Sequence, residues 1–126
     1  MAGSEQDNFA CEGDNSTTIP RSSVIAQLND ELRCRARDGQ LAITSGIMDL
    51  GPRAVSAVLE AVRSFDQFSP NNDPYGERDF GALTVLGHRI FWKIDYYDRN
   101  LQFGSPDPAD PAVTTRVLTI MLAGEY

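Results

Sequence analysis

The stretch NNDPYGERDF, residues 71–80, concentrates the groups best able to do chemistry: Asp73, Glu77 and Asp79, two asparagines, Arg78 and Tyr75. Three chemistries suit such a loop. Oxygen ligands around a sharp turn can hold a hard cation, and Asn71, Asp73 and Gly76 occupy positions one, three and six of a calcium loop. The pattern breaks at position five, which is Tyr75, and at position twelve, where Ala82 stands in place of a bidentate Glu. As a second chemistry, Glu77 and Asp79 share a face of an extended chain and could work as paired carboxylates. No nucleophile neighbours them, the single histidine, His88, adjoins a hairpin glycine, and no phosphate-binding glycine motif is present. The residues therefore assign no catalytic group, no metal ligand and no cofactor. The third chemistry is contact, on a loop whose Asn, Asp, Pro and Gly are also the residues that make turns.

Contact draws in a wider region. Between 66 and 110 stand Asp66, Asp73, Glu77, Asp79, Asp95, Asp98, Asp107 and Asp110, against Arg78, Arg89, Lys93 and Arg99. Aromatic anchors within a polar rim are what protein interfaces use. The expected partner-binding set is Asp73, Tyr75, Glu77, Asp79, Asp95, Tyr97 and Asp98. The chain carries 18 acids and 11 bases, a net charge of -7, which argues against a general binder of nucleic acid or anionic membrane. The partner it suits is a basic protein surface, with a nucleic-acid-binding complex as one such partner. Cys11 and Cys34 have neither metal-ligand spacing nor the density of a secreted scaffold, and read as reduced thiols in a cytoplasm. No signal peptide and no apolar run of membrane-spanning length is visible.

These residues must be positioned by a fold. Residues 1–20 are too polar to offset the entropy of ordering them and read as a disordered leader, with 21–126 as a single domain. Ile25, Leu28 and Leu32 recur at helical spacing, with Ser22 or Ser23 as cap and Gly39 as stop. QLAITSG, 40–46, alternates as a short strand. From Pro52 to Phe68, Val55, Val58, Leu59, Val62 and Phe65 form one apolar stripe, and Leu50 can staple onto Val55. Two strands then bend at Leu86, Gly87 and His88, with Ile90, Trp92, Ile94 and Tyr96 facing the core. LQFG, 101–104, is expected as a third strand whose Leu101 and Phe103 rejoin that face. After the prolines of SPDPADP, Asp110 and Pro111 are expected to start a last, deeply packed helix running almost to Tyr126. The class is α+β: a small antiparallel sheet, a three-stranded meander plus one short strand, against about three helices.

The motifs FDQFSPNNDPYGERDFG, FWKIDYYD, GSPDPADP and RVLTIMLAGEY resemble a family of short bacterial proteins catalogued only as a domain of unknown function, common in alphaproteobacterial genomes and plasmids. The resemblance runs from about Ile25 to Tyr126 and brings no activity and no catalytic residues with it. Members often carry His where Tyr75 and Arg78 stand here. The family's company with mobile elements implies an accessory role, by analogy with inhibitors of host defence of the anti-CRISPR or anti-restriction type. The expected function is thus a non-enzymatic acidic binding protein. The alternatives are a small hydrolase using Glu77 and Asp79, or a homodimer joined through its exposed aromatic strand face.

Overall fold

The computed structural model describes residues 19–126, so the expected leader, apart from Ile19 and Pro20, lies outside the described residues. Helix α1 spans Arg21–Arg35 and has no side-chain cap. Ser22 and Ser23 sit within its first turn, and the carbonyl of Pro20 accepts from the amides of Ser23 and Val24. Its end is closed at Ala36, left-handed at φ 56, with amides of residues 36 and 37 returning to the Leu32 and Glu31 carbonyls. The expected stop, Gly39, instead opens strand β1, Gly39–Ile43. Thr44 leaves the strand early because its hydroxyl accepts from the Ile47 amide and caps a short helix, α2, Ser45–Met48.

Helix α3, Pro52–Arg63, buries Val58 and Val62, with Leu50, Val55 and Leu59 packed against the same core. It stops short of the expected Phe68. The Ser64 hydroxyl donates to the Glu60 carbonyl at 2.7 Å, and the Arg33 guanidinium takes the carbonyls of Val62 and Phe65 at 2.8 and 2.9 Å. The Arg33 guanidinium thereby serves carbonyls that a continued helix would have satisfied.

Strands β2, Phe80–Val85, and β3, His88–Tyr97, form the expected hairpin. Leu86 (φ 50) and Gly87 (φ 82) make its two-residue turn, with positive φ at both positions as the primed type I turn requires. Gly81 faces Trp92 so closely that a Cβ would lie 2.2 Å from the indole nitrogen. That contact lets the largest side chain of the core be fully buried, edge-on to Phe65 and Phe68.

The expected last helix is a strand. Residues Thr115–Leu122 form β4, which pairs antiparallel with β3 and parallel with β1, giving a four-stranded mixed sheet of order β1-β4-β3-β2. Thr115, Val117, Thr119 and Ile120 are β-branched, and Arg116, Leu118 and Ile120 alternate as buried positions toward the helices. Asp110 does cap a helical start as expected, its carboxylate accepting from the Ala112 amide, but only the single turn Pro111–Val113 follows.

LQFG is not a strand either. One bridge, Tyr97 to Gly104, replaces it, and Leu101 and Phe103 are exposed rather than in the core. The Asp98 carboxylate accepts from the amides of Asn100 and Gln102, and Leu101 is left-handed at φ 59, so the segment coils on itself.

Leu32, Ile47, Val58, Val62 and Phe65 from the helical side share one core with Ile90, Trp92, Ile94, Leu118 and Ile120 from the sheet. The α+β class and the helices on one side of the sheet are as expected. The opposite face carries Phe91, Lys93, Asp95 and Tyr97 of β3 beside Met121, Thr119, Val117 and Thr115 of β4. At one end of that face Phe80, Phe91 and Tyr126 meet edge-on, with centroids 5.3 to 6.1 Å apart. Cys34 is disulfide-bonded, which overturns the reduced thiol expected for it; Cys11 lies outside the described residues. Among the described residues no helix is long and apolar enough to cross a membrane.

Candidate functional site

The loop 71–79 is held from below by a buried polar network. The four-residue step that continues the apolar face of α1 from Ile25 places Asn29 and then Arg33 inward, with Asp30 beside them, and all three are buried. The amide of Asn29 donates to the Glu77 carbonyl and to the Tyr96 hydroxyl, both at 2.9 Å, and its oxygen accepts from Arg116 Nε at 2.8 Å. Tyr96 in turn donates to Glu77 Oε1 at 2.9 Å. Arg116 lies over the Tyr96 ring and reaches the Pro108 carbonyl.

Asp30 forms the second half of the network. It accepts from Arg33 at 3.2 Å and from Arg78 at 3.0 Å, and both guanidiniums rest on the Phe68 ring. Burial, the largest influence, nonetheless raises the Asp30 carboxyl above its ordinary value against the pull of both arginines. Apart from the buried Arg33 Nε, which has no hydrogen-bond partner among the described residues, and the Arg33–Asp30 pair within α1, these groups are matched across elements distant in sequence, so the loop is fixed at Glu77 and Arg78 rather than hinged.

Upon that base the expected contact residues divide. Asp73 Oδ1 accepts from the Arg78 amide, and the Asp73 carbonyl accepts from Gly76, which turns the chain around the 81% exposed Tyr75. Asp79 continues the β2–β3 ladder, its carbonyl accepting from the Ile94 amide at 2.8 Å. Its carboxyl is held above the usual range, first by burial and then by repulsion from Glu77, Asp73 and Asp95. Glu77, Asp73 and Asp95 thus lie near enough to Asp79 for their charge to act on its carboxyl. Asp95 belongs also to the open sheet face, where it pairs with Lys93 at 3.0 Å. Tyr97 lies further along that face beside Thr115, and Asp98 stands apart, committed to its own turn.

Asn29, Asp30, Arg33, Tyr96 and Arg116 hold this site and are absent from the sequence-derived set. The four-residue step from Ile25 through Asn29 to Arg33 was a signal for the helix residues. Arg116 becomes visible only once 115–122 is taken as a strand, where it alternates with Leu118 and Ile120. Among the described residues no group of three or more His, Cys, Asp or Glu side chains could hold a metal ion. Glu77 Oε1 is engaged by the Tyr96 hydroxyl.

Residues 43–125, from the last residue of β1 to the turn after β4, match the model of a family described as a protein of unknown function, DUF3768. The chain belongs to this family. The matched stretch contains Glu77, Arg78, Asp79, Tyr96 and Arg116, while Asn29, Asp30 and Arg33, which brace the loop from α1, precede it. No curated protein and no solved structure is significantly similar to the chain.

Proposed function

We propose that this member of the DUF3768 family is a non-enzymatic binding protein whose acidic surface takes a basic protein surface, of the kind that nucleic-acid-binding complexes of host defence present. The observation that carries the reading is the placement of Asp73, Glu77 and Asp79 on one braced loop that leads into β2, beside an open sheet face that carries Asp95, Phe91 and Tyr97. Carboxylates held together against their own repulsion cost stability, and a cationic partner would relieve that cost. Complexes that neutralise phosphates carry basic patches, so they match it in sign. Tyr75, exposed on a turn braced by Asp73, is the aromatic anchor.

The double substitution Asp73→Asn with Asp79→Asn removes two charges and preserves shape, including an acceptor for the Arg78 amide. Partner captured from a host lysate by the unmodified protein should bind the double variant about tenfold more weakly, equivalent to about 1.4 kcal/mol. Its capture should also weaken as salt is added. Undiminished capture of the same partner by the double variant removes this reading.

A further inference from the structure

The geometry points to the outer edge of β2 as a strand-addition site that takes an extended, basic segment of a partner protein as the next strand of the sheet. This inference rests on the binding reading above and names the mode of contact. In the order β1-β4-β3-β2, β2 has a neighbour on one side only among the described residues. The bond from the Ile94 amide to the Asp79 carbonyl fixes the phase of the ladder, and antiparallel pairing then alternates. Gly81, Leu83 and Val85 turn their backbone groups to β3, whereas Phe80, Ala82 and Thr84 turn theirs outward. Among the described residues none of those outward groups is bonded to another element.

Sheet edges are ordinarily blunted by lysine, proline, an inward charge or a bulge. The strand FGALTV has no charge and no proline, and its six residues pair with β3 in unbroken register. Such an edge is a template for an added strand, whose main-chain hydrogen bonds supply affinity and whose side chains supply choice. The choice here is one of charge. Asp79 directly precedes the strand, and Asp73 and Glu77 lie close enough to act on its carboxyl. Arg78, the base nearest in sequence, is engaged with the buried Asp30. A segment lying along β2 therefore meets negative charge at the Asp79 end and neutral or apolar side chains over the rest, which favours lysine or arginine alternating with apolar residues.

The test uses amide-resolved NMR on the full chain with two synthetic decapeptides, one alternating Lys and Val and the other alternating Glu and Val. The Lys-Val peptide should slow hydrogen exchange at the Phe80, Ala82 and Thr84 amides, and the Glu-Val peptide should leave them unchanged. Ala82→Pro deletes one outward donor without touching the β3 ladder, as proline is tolerated on the solvent side of an edge strand. It should weaken the Lys-Val peptide about fivefold to tenfold, the weight of one hydrogen bond. Absence of slowed exchange at those three amides overturns the proposal, and that measurement needs no variant. Equal affinity of Ala82→Pro, checked as folded by its amide spectrum, also overturns it. If Asp79→Asn weakens the peptide while Ala82→Pro does not, the acidic surface stands as a binding site and the edge does not.

Discussion

Asn29 illustrates how one side chain can determine where a distant loop lies. Its three hydrogen bonds reach Glu77, Tyr96 and Arg116, and it is fully buried, so no water replaces them if it is lost. Asn29→Ala should destabilise the protein by about 3 kcal/mol, because it strands a buried guanidinium nitrogen and the Glu77 carbonyl at once. Chemical denaturation with an unchanged slope checks the magnitude. A loss under about 1 kcal/mol would show that the network is not a keystone of the fold. The acids of the loop were legible in the sequence because they lie within a few residues of one another. Their support was not, because hydrogen bonds spanning 48 to 87 residues leave no local trace.

At the scale of elements, the β2–β3 hairpin was readable because its alternation and its glycine turn are both local. β4 was not readable in the same way. Its run of Val, Leu, Ile and Met offers no clean period, and a central strand beside β1 and β3 resembles a buried helix in composition. The threonines at 114, 115 and 119 were the available warning. The hairpin turn retains a correctable flaw, since Leu86 is a left-handed residue with 68% of its surface exposed. Leu86→Asn creates an Asn-Gly turn and should stabilise the protein by about 1 kcal/mol. A melting temperature that falls, rather than rises, would contradict this account of the turn.

For the whole molecule, pH is the variable that reads these interactions together. Burial holds the Tyr96 phenol protonated well above its ordinary value of 10.0, with the Glu77 carboxylate adding to the effect and Asn29 opposing it. The unfolded chain ionises first, so stability from this phenol is complete below about pH 10 and is lost above it. The loss should approach about 1.4 kcal/mol per pH unit, and Tyr96→Phe should flatten that limb of the stability curve. An alkaline limb of equal steepness in Tyr96→Phe would place the cause elsewhere. On the acid side the groups oppose one another. Asp30 and Asp79 are raised by burial, so stability falls as pH climbs through their range, whereas Glu125, depressed by its bonds to Thr44, Leu122 and Gly46, adds stability above about pH 4.5. The sheet order carries a consequence of another kind. β4 is the last of the four strands to be synthesised, yet it lies between β1 and β3 and is, among the described residues, the only strand paired with β1. Until it emerges from the ribosome, β1 has no strand neighbour among the described residues and the β2–β3 hairpin has no second side, so the four-stranded sheet cannot close before β4 is out. Its assembly waits for one late, long-range closure, and a nascent chain arrested before Thr115 would expose two strand edges to aggregation.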